Sequence, residues 1–219
     1  MDDRQTDKRM NILAIECSHP RASLCLSLEG KMTITAHWEA ERNHDSYLFP
    51  ALQRALESLA DKPLDYVLVG AGPGSYGGVR VALAAAVGIS TVKGAKVVAV
   101  GSWDSLAEDG SCIISDARRG GWTLRRADGR IEVLSTPALL TEIGNGLVVS
   151  SIESAEVLEK AGITAQRTSL QPTAEGLVRS WYALSPEHRV ELAARPAEPI
   201  YVRPPHITEA KRKPWEVRN

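Results

Sequence analysis

A short glycine-rich segment has the residue types of an anion-binding turn. The segment 72–80, with sequence GPGSYGGVR, lies between an apolar run at 64–69 and a longer apolar run at 79–92. The first run predicts a buried strand, and the second is too long for a strand and predicts a helix. Glycine permits a sharp turn between them, because it enters positive φ at little cost. The amides of such a turn and a helix N-terminus together can bind an anion.

Three interpretations of this glycine turn compete. Gly72, Gly74 and Gly77 match the G-x-G-x-x-G spacing of dinucleotide-binding proteins. That motif needs an acidic residue for the ribose about 20 residues later, and residues 96–100 contain none. A P-loop needs Gly-Lys followed by Ser or Thr, whereas the turn has Gly78-Val79-Arg80. Residue chemistry alone therefore favours a tight connection that packs a buried helix.

The same nine residues closely resemble the signature G-P-G-S-[FY]-T-G-[LV]-R of the TsaB family. This resemblance implies an α/β, actin-like ATPase (ribonuclease-H-like) fold with two lobes of mixed sheets flanked by helices. It also implies a non-catalytic subunit of the machinery that makes N6-threonylcarbamoyladenosine (t6A) at position 37 of tRNA. Such a subunit binds and activates the related TsaD transferase. The implied glycine-turn motif is Gly72, Gly74, Ser75, Gly77 and Gly78, with Gly77 where the family usually has Thr.

A second group of reactive residues, Glu16-Cys17-Ser18-His19, follows the first predicted strand. In the actin-like superfamily this loop carries an Asp and small hydroxyl residues near the nucleotide phosphates and metal, and TsaB proteins usually have Asp-Thr-Ser. Glu16 is longer than Asp, and the Cys17 thiol is a poor ligand for Mg²⁺, which prefers oxygen. A nucleophilic Cys17 would need a partner that stabilises the thiolate, for which His19 is close in sequence. A buried thiol is the favoured interpretation.

The histidines do not have the spacing of a helical metal site. TsaD holds its metal partly through H-x-x-x-H on a helix, and Ser102 and Leu106 occupy the matching positions here. No two of the five histidines are four residues apart, and His44 is interpreted as a helix cap or structural residue. We therefore predict no catalytic residue, no metal and no cofactor. A nucleotide, ATP or ADP, at the interface with a partner stays an open alternative.

The composition limits the class of protein. The 219 residues include 26 basic and 27 acidic side chains, a net charge of −1, which argues against gripping nucleic acid by bulk charge. Three cysteines without close pairing fit a reducing cytosol, so a cytoplasmic protein is predicted. No apolar run reaches the ~18 residues that a spanning helix needs. Residues 1–9 lack the apolar core of a signal peptide.

The elements that must position these residues form a first half of order β-β-β-α-β-α-β. A continuous apolar run at 12–15 predicts a central strand, and alternation at 22–28 and 32–38 predicts two half-buried strands. A helix with a leucine-rich face follows at 48–59, and Pro50 leaves its start uncertain. The predicted strand at 64–69, the central helix and a strand at 96–100 complete this half.

A second, smaller half is predicted after residue 101. A strand at 112–115 is followed by Asp116-Ala117-Arg118, which resembles a TsaB motif, and Asp128-Gly129 predicts a hairpin between 122–126 and 130–134. Arg118 and Arg119 are either solvated or contact phosphate or an acidic partner. The remaining predicted elements are a helix at 137–143, a strand at 147–151, helices at 153–161 and 172–184, and a TsaB-like strand at 198–203.

The predicted division of the chain has four parts. Residues 1–9 are a disordered extension, and residues 204–219 are a basic tail. Between them lie a ribonuclease-H-like lobe at 10–101 and a smaller lobe at 102–203.

The central helix raises the question of what covers it. From 79 to 92 only Arg80, Ser90 and Thr91 are clearly polar, so the helix is either enclosed in the core or covered by another chain. TsaB relatives pair with TsaD, or with themselves in its absence, through the two helices of the first half. The partner-binding residues implied by this resemblance are Tyr76, Arg80, Leu83, Val87, Leu48, Leu52 and Leu56, of which the last three could equally be core.

The implied partners are a TsaD-like catalytic subunit, a TsaE-like ATPase and a second copy of the chain when TsaD is absent. Transfer RNA is contacted indirectly, and no membrane is expected. Two alternatives of a different class remain open. One is a stand-alone actin-like ATPase or phosphotransferase, and the other is an M22-type protease-like protein.

Overall fold

Two mixed β-sheets, one from each half of the chain, organise the molecule. The computed structural model describes residues 10–39, 44–107, 111–117 and 119–202. The predicted extension 1–9, the basic tail 204–219, Arg118 and the side chain of His44 lie outside the described residues. The architecture is the predicted one, an α/β fold of two mixed sheets flanked by helices.

The first sheet contains five strands. They are β1 (Ile12–Glu16), β2 (Arg21–Leu28), β3 (Lys31–Glu39), β4 (Tyr66–Gly70) and β5 (Lys96–Val100). Their order is β3-β2-β1-β4-β5, with β1 antiparallel to β2 and parallel to β4, and β4 parallel to β5. The carboxyl ends of three parallel strands therefore meet at one edge, which is where ligands usually bind in such sheets.

Two helices cover one face of this sheet. They are α1 (His44–Leu59) and α2 (Tyr76–Lys93), and both pack on a core that contains Leu13, Ile15 and Val69. Helix α1 begins before Pro50, although proline inside a helix removes one backbone hydrogen bond. The burial of its apolar face outweighs that cost, because Leu48, Ala55 and the other residues of this face are buried.

The opposite face of the first sheet is covered by helices from the end of the chain. They are α5 (Ala174–Ala183) and α6 (Pro186–Ala194), and Trp181 of α5 is fully buried with Ile12, Leu68 and Val98. The predicted helix at 172–184 is thus present, but α6 was not predicted. Its signal was Ser185 followed by proline, a cap residue and an N-terminal proline. The division of the chain at residue 101 stays a prediction.

The second sheet contains four strands. They are β6 (Cys112–Asp116), β7 (Gly121–Arg125), β8 (Ile131–Ser135) and β9 (Val149–Ser151), in the order β8-β7-β6-β9. The β7–β8 hairpin turns at Asp128-Gly129 as predicted, and β9 is shorter than the predicted strand. Helices α3 (Thr136–Gly144) and α4 (Ala155–Lys160) contribute Leu139 and Leu158 to its core.

The predicted strand at 198–203 is not formed in its described part, up to residue 202. Instead, the amide of Ile200 donates a single hydrogen bond to the carbonyl of Ala71, 2.7 Å away. This contact brings the end of the described chain against the glycine turn. None of the helices in the described part of the chain is both long enough and apolar enough to cross a bilayer.

Candidate functional site

The glycine turn lies at the carboxyl edge of the first sheet, between β4 and α2. Gly72 has φ +96°, a conformation that favours glycine. A Cβ at Gly74 would lie 2.2 Å from the carbonyl oxygen of Ser18, and the Ser75 amide donates to that same oxygen at 2.6 Å. The loop after β1 is therefore pressed directly against the turn, and this close approach requires glycine at 74.

The amides of Gly72, Ser75 and Gly78 in this turn have acceptors within the protein. The Gly72 amide donates to Ser102 Oγ at 3.0 Å, and Ser75 Oγ caps α2 by accepting from the Gly78 amide at 3.2 Å. Ser102, which occupies a predicted metal-ligand position of TsaD, thus serves as an acceptor for the turn. This geometry supports a packing connection over an anion-binding turn.

Glu16 ends β1 beneath the turn and is fully buried. Its Oε1 accepts a hydrogen bond from the Ser18 amide at 2.6 Å, and a Cβ at Gly70 would lie 1.9 Å from its Oε2. Burial raises the pKa of Glu16, and hydrogen bonds from Ser18 and Ser102 oppose that shift. The carboxyl group is thus enclosed between backbone segments.

Of the other reactive residues of this loop, Cys17 is buried and His19 is half-buried. Burial raises the pKa of the Cys17 thiol, and the Glu16 carboxylate raises it further. Burial lowers the pKa of His19, so this residue is a weak source of positive charge for stabilising a thiolate. The structure therefore gives Cys17 the environment of a buried, protonated thiol.

A nucleotide and Mg²⁺ are the ligands that an actin-like fold implies for this edge of the sheet. Glu16 Oε2 is buried and has no hydrogen-bond partner among the described residues. The carboxyl group is nevertheless enclosed against Gly70, and the amides of Gly72, Ser75 and Gly78 are bonded within the protein, so the arrangement does not fit either ligand. Within the described residues, no three His, Cys, Asp or Glu side chains lie together as metal ligands. Leu106 is buried in a 3₁₀ helix at Ser102–Leu106.

Helix α2 buries one face and exposes the other. Its buried residues are Gly78, Val79, Ala82, Ala86 and Ile89. The residues called the outer face of α2 are Tyr76, Arg80, Leu83, Ala84, Val87 and Gly88. Of these, Leu83 is half-buried and the others are exposed, with 54% of Val87 accessible. The helix is thus not enclosed within the monomer.

An apolar groove of about 1010 Å³ runs between α1 and α2 beside this outer face. Leu52 forms part of its base and is only 6% exposed, while Phe49 on its edge is 57% exposed. Leu48 is fully buried in the core and does not line the groove, so it cannot act as a surface contact. The lining residues are Phe49, Leu52, Gln53, Leu56, Glu57, Val81, Ala84, Ala85, Gly88 and Ile89.

Several lining residues were not predicted from the sequence. Phe49 and Val81 are each one position away from a predicted contact. Ala84 and Gly88 were not predicted, because small residues are common throughout this alanine-rich helix. The available signal was a helical period shifted by one residue. This period identifies the groove residues only when the position of the facing helix is known, because both helices carry apolar residues around most of their circumference.

Arg80 is held at the N-terminal end of the outer face. Its guanidinium carbon lies 3.9 Å from the centroid of the Tyr76 ring, and its Nε donates to Tyr201 Oη at 3.3 Å. The two tyrosine rings are 5.1 Å apart. No local sequence pattern indicates this cluster, because Tyr201 lies 121 residues beyond Arg80.

Three comparisons with known proteins agree with this picture. A family model described as "TsaD: tRNA N6-adenosine threonylcarbamoyltransferase" matches residues 38–145. The tRNA threonylcarbamoyladenosine biosynthesis protein TsaB of Bacillus subtilis is 31% identical over 119 residues. That alignment covers 51% of this chain and 52% of the relative, so the chain spans about half the length of the curated relative it matches.

Two solved structures from Pseudomonas aeruginosa have the same fold. An uncharacterized protein with similarity to peptidase YEAZ superposes with a TM-score of 0.68 at 22% identity, covering 89% of this chain and 100% of that one. YeaZ itself superposes with a TM-score of 0.65 at 22% identity, covering 88% and 99%. Taken with the glycine-turn signature, these matches show that the chain is similar to TsaB and to proteins of the TsaD family model, and that it shares the fold of YeaZ.

Proposed function

We propose that this chain is a non-catalytic subunit of the t6A machinery that docks onto a TsaD-like transferase. The observation that carries the proposal is the apolar groove between α1 and α2 together with the outer face of α2. The name of the Bacillus relative indicates the process, tRNA threonylcarbamoyladenosine biosynthesis. The groove supplies the mode of action, which is binding to another protein rather than chemistry.

The composition of this surface is that of a protein interface. Phe49 and Val87 are more than half exposed, and the groove between their helices is walled mainly by apolar side chains. Gln53, Glu57 and Arg80 form polar edges around it. An exposed apolar patch with a polar rim is typical of an interaction site on a soluble protein.

The small residues of the outer face support close packing by a partner helix. Gly88 lies in the interior of α2, and a Cβ built there would meet nothing within 4 Å. Glycine at such a position costs a helix about 1 kcal/mol relative to alanine. Nothing within the monomer requires that loss, whereas a partner backbone that approaches α2 closely would require it.

The kind of partner follows from the segment that the TsaD family model matches. Residues 38–145 include both α1 and α2, so a TsaD-like protein is expected to carry an equivalent pair of helices. Two related surfaces can pair around an approximate two-fold axis, as identical surfaces do in homodimers. The same reasoning makes a second copy of this chain the competing occupant when TsaD is absent. A TsaE-like ATPase and indirect contact with tRNA follow from the family resemblance alone.

The same proposal includes that the isolated chain catalyses no reaction and binds no nucleotide. The enclosed Glu16 and the internal hydrogen bonds from the Gly72, Ser75 and Gly78 amides support a chain that binds no nucleotide by itself. Calorimetry with Mg-ATP is expected to give no heat of binding for the isolated chain. Heat that appears only with the transferase would indicate a nucleotide at the interface, while tight binding to the isolated chain would favour the ATPase alternative.

A pair of valine substitutions tests the docking surface. Val87→Glu places a charge on the outer face of α2, and Val190→Glu places one on a more accessible site of α6, across the first sheet. We expect Val87→Glu to weaken binding to the organism's own TsaD-like protein by at least about tenfold, because the charge would be buried without a partner. Val190→Glu should bind like the wild type.

The cellular readout is the t6A content of tRNA after depletion of the chain. Wild type and Val190→Glu should restore the nucleoside, and Val87→Glu should not. Failure of the wild-type chain to bind the transferase, or unaltered binding by Val87→Glu, would contradict the proposal. Analytical ultracentrifugation of the isolated chain reports whether the same substitution also disrupts a homodimer.

A further inference from the structure

Arg80 is exposed at one end of the proposed docking surface, and no carboxylate among the described residues pairs with it. Among the described residues no ion pair involves Arg80, and its contacts are the two tyrosines Tyr76 and Tyr201. It shares a helical face with Ala84 and Gly88, one and two turns further along α2. Its charge therefore lies in line with the residues of the groove.

The two tyrosines hold the guanidinium in one orientation. The Tyr76 ring occupies one face of the guanidinium at 3.9 Å, and the Tyr201 hydroxyl accepts from Nε at 3.3 Å. Stacking uses the face of the guanidinium and leaves its edge available, so the two terminal NH₂ groups can still donate in the guanidinium plane. This is the geometry with which arginine binds a carboxylate through two parallel hydrogen bonds.

Tyr201 is held in turn by the glycine turn. The Ile200 amide donates to the Ala71 carbonyl at 2.7 Å, and the Ile200 carbonyl oxygen lies 3.1 Å from the place where a Cβ of Gly72 would be. A side chain at 72 would therefore crowd the Ile200 carbonyl and require a small shift of this segment. The turn thus has a second role besides starting α2, which is to seat the segment that carries Tyr201.

An exposed arginine normally samples many rotamers, and its ordering on binding costs free energy. Here two segments far apart in sequence share the ordering of one exposed side chain before any partner is present. They are the glycine turn with the start of α2, and residues 200–201. Electrostatic anchors at the edge of an apolar interface set the orientation and the rate of association. Arg80 is held in one orientation at the edge of the apolar groove, as expected of such an anchor.

We propose that Arg80 is the charged anchor of the docking surface and pairs with a carboxylate of the TsaD-like partner, with Tyr201 as its positioning residue. This inference rests on the proposed function and specifies the partner's chemistry. The partner presents an apolar helix pair to the groove and an Asp or Glu beside the N-terminal end of α2.

The first test compares arginine substitutions at two sites. Affinity for the TsaD-like protein is measured by calorimetry for wild type, Arg80→Ala, Arg80→Lys and the control Arg130→Ala, which lies in the β7–β8 turn of the second sheet. Arg80→Ala is expected to weaken binding about tenfold or more, as the loss of hydrogen bonds to a charged group does. Arg80→Lys should recover only part of that loss, because it cannot bind two carboxylate oxygens from one plane.

Ionic strength separates a charge pair from lost packing. Wild-type binding should weaken as salt is raised, and Arg80→Ala should show a smaller dependence because the screened attraction is gone. Unchanged affinity and an unchanged salt dependence in Arg80→Ala would overturn the inference. If Val87→Glu still abolished binding in that case, the proposed function would stand without it; absence of wild-type binding would overturn both.

The second test concerns Tyr201. Tyr201→Phe removes the hydroxyl that accepts from Arg80, and Tyr182→Phe is the control, since its hydroxyl contacts the Met10 carbonyl on the other side of the first sheet. We expect Tyr201→Phe to weaken binding severalfold in the wild-type background and to have no further effect in the Arg80→Ala background. An equal effect in both backgrounds would show that Tyr201 does not act through Arg80.

Discussion

Glu16 shows what a single substitution does at the edge of this sheet. Where TsaB proteins usually carry Asp, the longer Glu reaches back beneath its own loop and accepts from the Ser18 amide. Its carboxyl is enclosed against Gly70, whose missing side chain makes the space for it. The residue that resembles a ligand-binding acid in sequence has become part of the packing between β1 and β4.

The raised pKa of Glu16 predicts a pH-dependent stability. Between the unfolded and the folded pKa the native state binds a proton that the unfolded state has lost, so stability falls as pH rises above about 4.5. The loss approaches about 1.4 kcal/mol per pH unit within that window. Glu16→Gln removes the titrating carboxyl group and with it this dependence of stability on pH.

The measurement is urea unfolding at several pH values from 5 to 8. The difference in unfolding free energy between Glu16→Gln and wild type should grow in favour of the variant as pH rises. Glu159→Gln, at an exposed position of α4, is the control for replacing a carboxylate by an amide. A constant difference between Glu16→Gln and wild type across this range would contradict a raised pKa.

The cysteines give a second prediction at the residue scale. Cys17, Cys25 and Cys112 are all buried, and burial raises the pKa of Cys25 to about 12. Ellman's reagent at pH 8 should therefore titrate almost no thiol in the native protein and three after unfolding in guanidinium chloride. Rapid reaction of one thiol in the native protein would show an activated cysteine and reopen a nucleophilic role for Cys17.

At the scale of elements, the inner and outer faces of α2 place different demands on its sequence, and packing within an isolated monomer explains only the inner face. Its inner face packs on the sheet through Ala82 and Ala86, and its outer face exposes Val87 and Gly88. A helix optimised for the monomer alone would have alanine or a charged residue at 88. The sequence of α2 is therefore better explained by two neighbours than by one.

Gly88→Ala separates these demands. It is expected to stabilise the isolated chain by about 0.5–1 kcal/mol, because a Cβ there meets nothing and glycine weakens a helix. The same methyl group should weaken binding to the TsaD-like partner if a backbone packs there. Thermal unfolding of the chain and calorimetry of the complex are the two measurements. Greater stability with unchanged affinity would show that the partner does not approach Gly88.

At the scale of the whole molecule, helix α5, near the C-terminal end of the described chain, completes the core around the first sheet. Trp181 of α5 is fully buried on the sheet face opposite α1 and α2, and the α5 amide of Ala174 donates to Ser23 Oγ of β2 at 2.8 Å. The predicted lobe at 10–101 therefore lacks one of its two covering layers. A sheet with one face bare of its helices exposes a large apolar area.

Expression of fragments tests that dependence. A fragment of residues 10–101 is expected to aggregate or to bind the dye ANS without a cooperative thermal transition, because the face normally covered by Trp181 and its neighbours is exposed. The longer fragment 10–202 should unfold cooperatively. Cooperative unfolding of 10–101 would instead show that the sheet and two helices suffice as an independent domain.

Local patterns were enough to predict most of the elements. Alternation in β2 and β3, the apolar runs of β1 and β5, and Asp128-Gly129 of the hairpin each act over a few residues, so the sequence determines them directly. Element boundaries were less accurate, as at β4 and β9, because hydrogen bonds with neighbouring strands fix where a strand begins and ends. Helix α6 was missed although its cap signal was present.

The sequence by itself determined the α/β class, the order of most of the elements up to residue 184 and, through nine residues of the glycine turn, the family resemblance. Only the tertiary structure decided that Leu48 is core, that Glu16 is enclosed and that Tyr201 meets Arg80. The physical reason is separation along the chain. Strand and helix patterns depend on neighbours in sequence, whereas burial and side-chain pairing depend on which distant segments the sheet brings together.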